Sequence, residues 1–354
     1  MIDGKAKGSM DGQDNRRVKI DRREGRLMMS GLICIVCLLL AFGFAAPAGS
    51  AEKSLEQAKQ LLEEGDPAGA RAVLEPVLEG DSENHVALSY LGKIALAEGD
   101  FDGAIDLLKR AAELDETDSG YRTWLGRAYI LKLQTVTFFE KGVLAGRAQE
   151  QLQKAITLDP TNVQARIFLA QYYVSAPSIA GGSTKKAREQ AEEIIKHDPV
   201  EGNALLAGIH VRDEEYDLAI DKYEQCIESQ PDNVTYRYQL AMLYQKLEHF
   251  DLSLAGFEKM LEIDPEATSA LYQIGRTAVF SKTNLDRGIE CLQSYLKKDV
   301  KPGHPGYDAA HWRLGMLFEH KGDLTRAREE YETALRLNPD GEEYRKSLAS
   351  LDQE

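Results

Sequence analysis

Three histidines, His304, His311 and His320, fall within 17 residues near the C-terminus, the kind of cluster that could hold a metal ion. On a helix, however, His311 and His320 stand about 180° apart and share no face. Ligation by all three would require the loop carrying His304 to fold back, so surface or packed histidines are the default reading. Nucleophilic chemistry finds no better support, because the chain has no G-x-S-x-G elbow, no H-E-x-x-H pair and no CxxC pair. Cys226 and Cys291 sit in apolar helical stretches, which favours two buried thiols over a bridge. "PSIAGGS", residues 177–183, superficially suits a phosphate, but the GxxxxGK[ST] spacing is absent and no strand precedes it. Asp and Glu are abundant as helix caps and solvated faces, so choosing two as an acid/base pair would be arbitrary. The expectation is a chain with no catalytic residues, no cofactor and no metal, and hence no enzyme.

A second set of residues suggests binding rather than reaction. Tyr238 with Met242, Tyr272 with Arg276, and Trp312 with Met316 are each spaced i,i+4 and therefore share a helix face. Lys93 and Arg127 hold the position of Met242 and Arg276 in earlier stretches. Aromatic and Arg side chains concentrate binding energy in interfaces, and Met adapts to varied apolar surfaces. The same rings would equally serve to fill contacts between neighbouring helices, and both readings stand at this point.

Positioning these side chains requires helices, and the chain after Ser54 shows almost nothing else. Apolar residues recur at steps of three and four, and prolines fall at regular breaks. Gly92 in "YLGKIALA" and Gly126 in "WLGRAYIL" are 34 residues apart, as are Ala70 and Ala104, and Pro231 and Pro265. A fixed period of this size, with two helices per unit, marks a stacked helical array. Small residues at Gly92, Gly126, Ala170, Ala241, Gly275 and Gly315 let helices approach closely. Large ones at Leu108, Leu152, Tyr223, Phe257, Leu292 and Tyr331 are expected to fill the gaps between units.

These units resemble tetratricopeptide (TPR) repeats. "LGRAYI" from Leu125, with Tyr129, fits the first helix of that family's pattern, and "AREEYETALRLNP", Ala327 to Pro339, fits the second helix and closing Pro. The resemblance implies an all-α, right-handed α-solenoid of about eight helix-turn-helix repeats. These lie near 51–84, 85–118, 119–162, 163–199, 200–233, 234–267, 268–307 and 308–341, followed by a capping helix in 342–354. It also implies that Tyr238, Met242, Tyr272, Arg276, Trp312, Met316, Lys93 and Arg127 line a concave groove for a protein or peptide partner. Chaperone-binding members clamp a terminal carboxylate with Lys and Asn. The matching pairs here, Leu55/Lys59, Ser89/Lys93 and Thr123/Arg127, contain no Asn, so that clamp is not expected. Three units are longer than the rest, through "KLQTVTFFEKGV", "SAPSIAGGSTKK" and "KKDVKPGHPGYD". The first is expected to pack down as a lengthened helix or packed loop.

The front of the chain differs from all that follows. Arg16, Arg17, Lys19, Arg22, Arg23 and Arg26 precede the apolar run "LICIVCLLLAFGF", Leu32 to Phe44, and "AAPAGSA" follows it. This is the layout of a secretory signal. Residues 31–48 would alternatively serve as an uncleaved inner-membrane anchor. Either way residues 1–51 form a leader, the repeats 52–341 are exported, and a periplasmic or membrane-anchored location is expected. Beyond residue 51 there are 53 acidic against 35 basic side chains, so nucleic acid is repelled at long range. The leading expectation is a non-enzymatic scaffold that binds a peptide or protein in a bacterial cell-envelope assembly. The alternative is a structural or membrane-anchored subunit that self-associates through its repeats.

Overall fold

Short polar side chains set where the helices begin, by accepting hydrogen bonds from the otherwise unpaired N–H groups of the first turn. Asp66 takes the N–H of Gly69 at 2.8 Å, Asp100 that of Gly103 at 3.0 Å, Asn162 that of Ala165 at 2.8 Å and Asp198 that of Glu201 at 3.0 Å. The computed structural model describes residues 48–300 and 303–352. Among these residues there are 17 α-helices, one 3-10 turn and no strand.

The helices come in pairs. The first four pairs are α1 (Ala48–Glu63) with α2 (Pro67–Gly80), α3 (His85–Glu98) with α4 (Phe101–Leu114), α5 (Ser119–Lys132) with α6 (Phe138–Leu158), and α7 (Val163–Ser175) with α8 (Thr184–Ile195). Next come α9 (Pro199–Arg212) with α10 (Tyr216–Ser229) and α11 (Val234–Lys246) with α12 (Phe250–Ile263). The last are α13 (Thr268–Ser281) with α14 (Leu285–Tyr295), α15 (Tyr307–His320) with α16 (Leu324–Leu337), and the single helix α17 (Glu342–Ser350). The fold is all-α, a succession of helix-turn-helix pairs of the kind the TPR resemblance implies.

The chain divides into two compact units after Tyr90. In the described part of the first, α1 packs on α2 with Ala58, Ala70 and Leu74 fully buried. From α5 onward each first helix packs on its own second helix, and α5 also meets α7, as α13 meets α15. There the missing Cβ atoms decide the packing. A Cβ on Gly92 would lie 2.6 Å from Leu108, one on Gly126 2.6 Å from Leu152, one on Gly275 2.3 Å from Leu292 and one on Gly315 2.4 Å from Tyr331. The large residues therefore seat over the glycine of their own repeat, rather than only filling gaps between units. All four are fully buried, each contributing about 1.5–3 kcal/mol.

Several of the turns between paired helices pass through a left-handed residue. Gly65, Gly99 and Gly322 supply it at φ 80°, 82° and 78°, but in the fifth and sixth pairs Glu214 and Glu248 adopt φ 61° and 60°. Glu lacks glycine's freedom in this region, so both turns are strained locally.

The insertions are built into the packing. "TVTFFEKGV" mostly becomes the first turns of α6, which runs for 21 residues, and Glu140 accepts hydrogen bonds from the N–H and hydroxyl of Thr137 at 3.1 and 2.7 Å. The loop after α7 is held by the buried Tyr172, whose hydroxyl donates to the Ala180 carbonyl and accepts from Gln149 at 3.1 Å. In the seventh repeat, buried Tyr295 donates to the Pro305 carbonyl at 2.6 Å.

No helix among the described residues is long and apolar enough to cross a membrane. The expected signal or anchor at 31–48 lies outside the described residues except for Ala48, where α1 begins.

Candidate functional site

The reactive side chains do not converge. Among the described residues no three metal-ligating groups come together. His311 instead pairs with Glu330 at 2.5 Å. Cys226 and Cys291 are buried and unbridged, and burial raises their thiols to about 11 and about 12. They are therefore poor nucleophiles at neutral pH.

The first helices of the repeats carry a different kind of site. In repeats two to four, each cation lies over the ring of the next repeat. The Lys93 ammonium is 5.2 Å from the centre of Trp124, and the Arg127 guanidinium is 4.8 Å from the centre of Phe168. Trp124 and Phe168 meet edge to face at 5.7 Å. Such contacts contribute about 0.5–2 kcal/mol each. Burial holds Lys93 below its ordinary value against a weaker opposite pull from Asp118, and burial also lowers Arg127. Arg127 donates to Gln171 at 3.4 Å, a neutral acceptor.

In repeats seven and eight two cations share one ring. Arg276 lies 5.1 Å and Arg313 5.6 Å from the centre of Phe280, a ring that is 45% exposed. Arg313 donates through Nε to the Tyr272 hydroxyl at 2.8 Å. Arg276 reaches Gln273 at 3.4 Å, while its Nε–H is buried with no acceptor. Burial, and then repulsion from Arg313, lowers the Arg276 pKa. Among the described residues no carboxylate pairs with Arg127, Arg276 or Arg313. The second helices behave differently: Arg287, on α14, takes Glu258 at 2.8 Å through two nitrogens and Glu290 at 2.8 Å through a third.

The structure places the expected residues unevenly. Lys93, Arg127 and Arg276 stand among the cation and ring contacts just described. Tyr272 is buried, 5.4 Å from the Tyr295 ring. Tyr238 packs 5.9 Å from Phe257 and accepts from Gln273 at 3.2 Å. Met242 and Met316 are partly buried against the same core. Trp312 lies 5.3 Å from Tyr344 and donates to Ser347 at 2.9 Å, both on or beside the last helix. Sequence reasoning missed Trp124, Phe168, Arg313 and Phe280. The first three had a signal, since each stands two residues before the small residue of its first helix: Gly126, Ala170 and Gly315.

This geometry is set by hairpins that repeat the same small-on-large packing. Sequence profiles of the tetratricopeptide repeat match residues 61–128, 204–235, 234–266 and 277–342, together more than half of the chain. The chain belongs to the tetratricopeptide repeat family. TPR repeats suggest a scaffold for protein interaction.

The TPR chain is 23% identical over 296 residues to the antiviral innate immune response effector IFIT1 of Macaca fascicularis, a match covering 80% of this chain and 52% of that protein. It is 23% identical over 282 residues to the human protein O-mannosyl-transferase TMTC1, covering 76% and 25%. The chain thus spans about half or less of the length of these curated relatives. Among solved structures it resembles the human IFIT1 dimer with m7Gppp-AAAA, with TM-score 0.52 and 18% identity, over 89% of this chain and 79% of that one. It also resembles a tetratricopeptide repeat protein from Parabacteroides merdae, with TM-score 0.51 and 14% identity, over 77% and 100%. At these identities the likeness is one of fold.

Proposed function

We propose that this TPR chain is a non-catalytic scaffold that holds a peptide segment of another protein against the first-helix face of its repeats. The observation that carries this is the set of guanidiniums at Arg127, Arg276 and Arg313. They are half-buried against rings and offered no carboxylate, whereas Arg287 on a second helix is fully paired. Charges placed on rings and left without counterions are prepared for a partner's acceptors. The signal-like layout of the sequence in residues 1–51 supports export, so the scaffold would work in the periplasm or anchored to the inner membrane of a bacterial-type envelope. A self-associating structural subunit is the alternative role.

RNA is a second reading, because the human IFIT1 structure holds m7Gppp-AAAA. Against it stands the excess of 53 acidic over 35 basic residues beyond residue 51, which repels an extended polyanion. Peptide selection on the purified chain tests the binding role, and selective recovery of peptides that bind reversibly is expected. Failure to recover any, with tight binding of oligoadenylate instead, would overturn it. N-terminal sequencing of protein recovered from the envelope tests export. A start near residues 49–52 indicates a cleaved signal, an intact leader in the membrane fraction indicates an anchor, and recovery only from the cytoplasm rejects both.

A further inference from the structure

We propose that Arg276, Arg313 and Phe280 form a seat for a carboxylate carried beside an apolar side chain on a short acidic segment of the partner. The proposal rests on the peptide-binding reading above and names the chemistry the partner must bring to repeats seven and eight. Three observations support it. First, two guanidiniums lie on one ring, at 5.1 and 5.6 Å, and no anion among the described residues separates their charges. Arg313 repels the Arg276 charge, and a bound anion offsets such repulsion. Second, the Arg276 Nε–H is buried without an acceptor. An orphaned donor of this kind costs about 1–3 kcal/mol, so the Arg276 guanidinium is not satisfied within the chain. Third, the ring that both guanidiniums contact is 45% exposed, leaving apolar surface beside the charges.

The neighbouring polar side chains are already committed, and none of them offers either guanidinium a carboxylate. Tyr272 accepts from Arg313 through its hydroxyl, and Gln273 bridges Arg276 to Tyr238. A carboxylate matches the guanidinium fork in two parallel hydrogen bonds. A single carboxylate or short acidic segment feels this local field, whereas a long polyanion also meets the acidic remainder of the chain.

The test uses the full chain and a displayed library of random dodecapeptides. It is run on the unaltered protein, on the R276Q/R313Q double variant and on R276K/R313K, with helicity checked by circular dichroism. The unaltered protein is expected to select peptides enriched in Asp or Glu next to Phe, Tyr or Leu. The double Gln variant should bind those peptides at least about tenfold more weakly, as loss of a charge-assisted pair implies, and the Lys variant should fall between. Amidated and free-acid forms of a selected peptide distinguish a terminal carboxylate from a side-chain one. Peptides selected without acidic enrichment, or acidic peptides indifferent to R276Q/R313Q, would overturn the seat while leaving the scaffold role standing. Loss of helicity in both variants would show the pair to be structural and overturn it too. No selected peptides, or preferential Arg-dependent binding of 5′-triphosphorylated oligoadenylate, would overturn the seat and the peptide-binding reading together.

Discussion

The first-helix face of repeats two to four and that of repeats seven and eight use the same residue types in different arrangements. In the earlier repeats each cation faces the ring of its successor, Lys93 on Trp124 and Arg127 on Phe168, so charges alternate with rings. In the later repeats an Arg occupies the site two before Gly315, where the earlier repeats place Trp124 and Phe168. Arg313 is therefore brought beside Arg276 on Phe280, a ring from the helix of Arg276 itself. One register change thus converts an alternating stack of charges and rings into a site where two cations share one ring. The difference teaches that identity at a repeat position matters less than what the neighbouring repeat places opposite it.

The comparison can be tested at several strengths. The largest effect is expected from Trp312→Ala, which removes a ring lying on Tyr344 and bonded to Ser347. Urea unfolding should show a loss of about 3 kcal/mol. Phe280→Ala, on an exposed ring, should stay within about 1 kcal/mol. Equal losses would mean that both rings are interior.

Binding should separate the two regions next. Arg127→Gln leaves the Arg276 and Arg313 pair intact, so fluorescence anisotropy with an acidic peptide should show about threefold weakening, against at least about tenfold for R276Q/R313Q. The reverse order would place the main anion site in the earlier repeats.

Stability should then separate paired from unpaired arginines. Arg276→Met removes a repelled, partly buried charge and should stabilise the chain by about 1 kcal/mol. Arg287→Met abandons Glu258 and Glu290 and should destabilise it by about 1 kcal/mol. Smallest of all, Glu248→Gly relieves a left-handed backbone and should add about 0.5–1 kcal/mol. An unchanged midpoint would mean that the glutamate side chain compensates.

Much of the hairpin architecture was legible because it is encoded by covalent spacing. Gly92 and Gly126 lie one repeat apart, and each admits a large residue from its own second helix. The site was less legible. Helical periodicity shows which residues of one helix share a face, and so it grouped Tyr272 with Arg276. It does not encode the offset between neighbouring helices, which brings Arg127 over Phe168 and Arg313 over Phe280. The contacts of Trp312 with Tyr344 and Ser347 were not legible, because these partners lie on the single terminal helix. Repeat arithmetic ends before that helix begins.

The most direct measurement places a photo-reactive phenylalanine analogue at Phe280 on a first helix and, in a second protein, at Leu252, a 51% exposed residue on a second helix. Each protein is irradiated with a selected acidic peptide. Adducts at position 280, abolished by excess unlabelled peptide and absent at position 252, are expected. Adducts at position 252 alone, or at both positions alike, would contradict binding on the first-helix face.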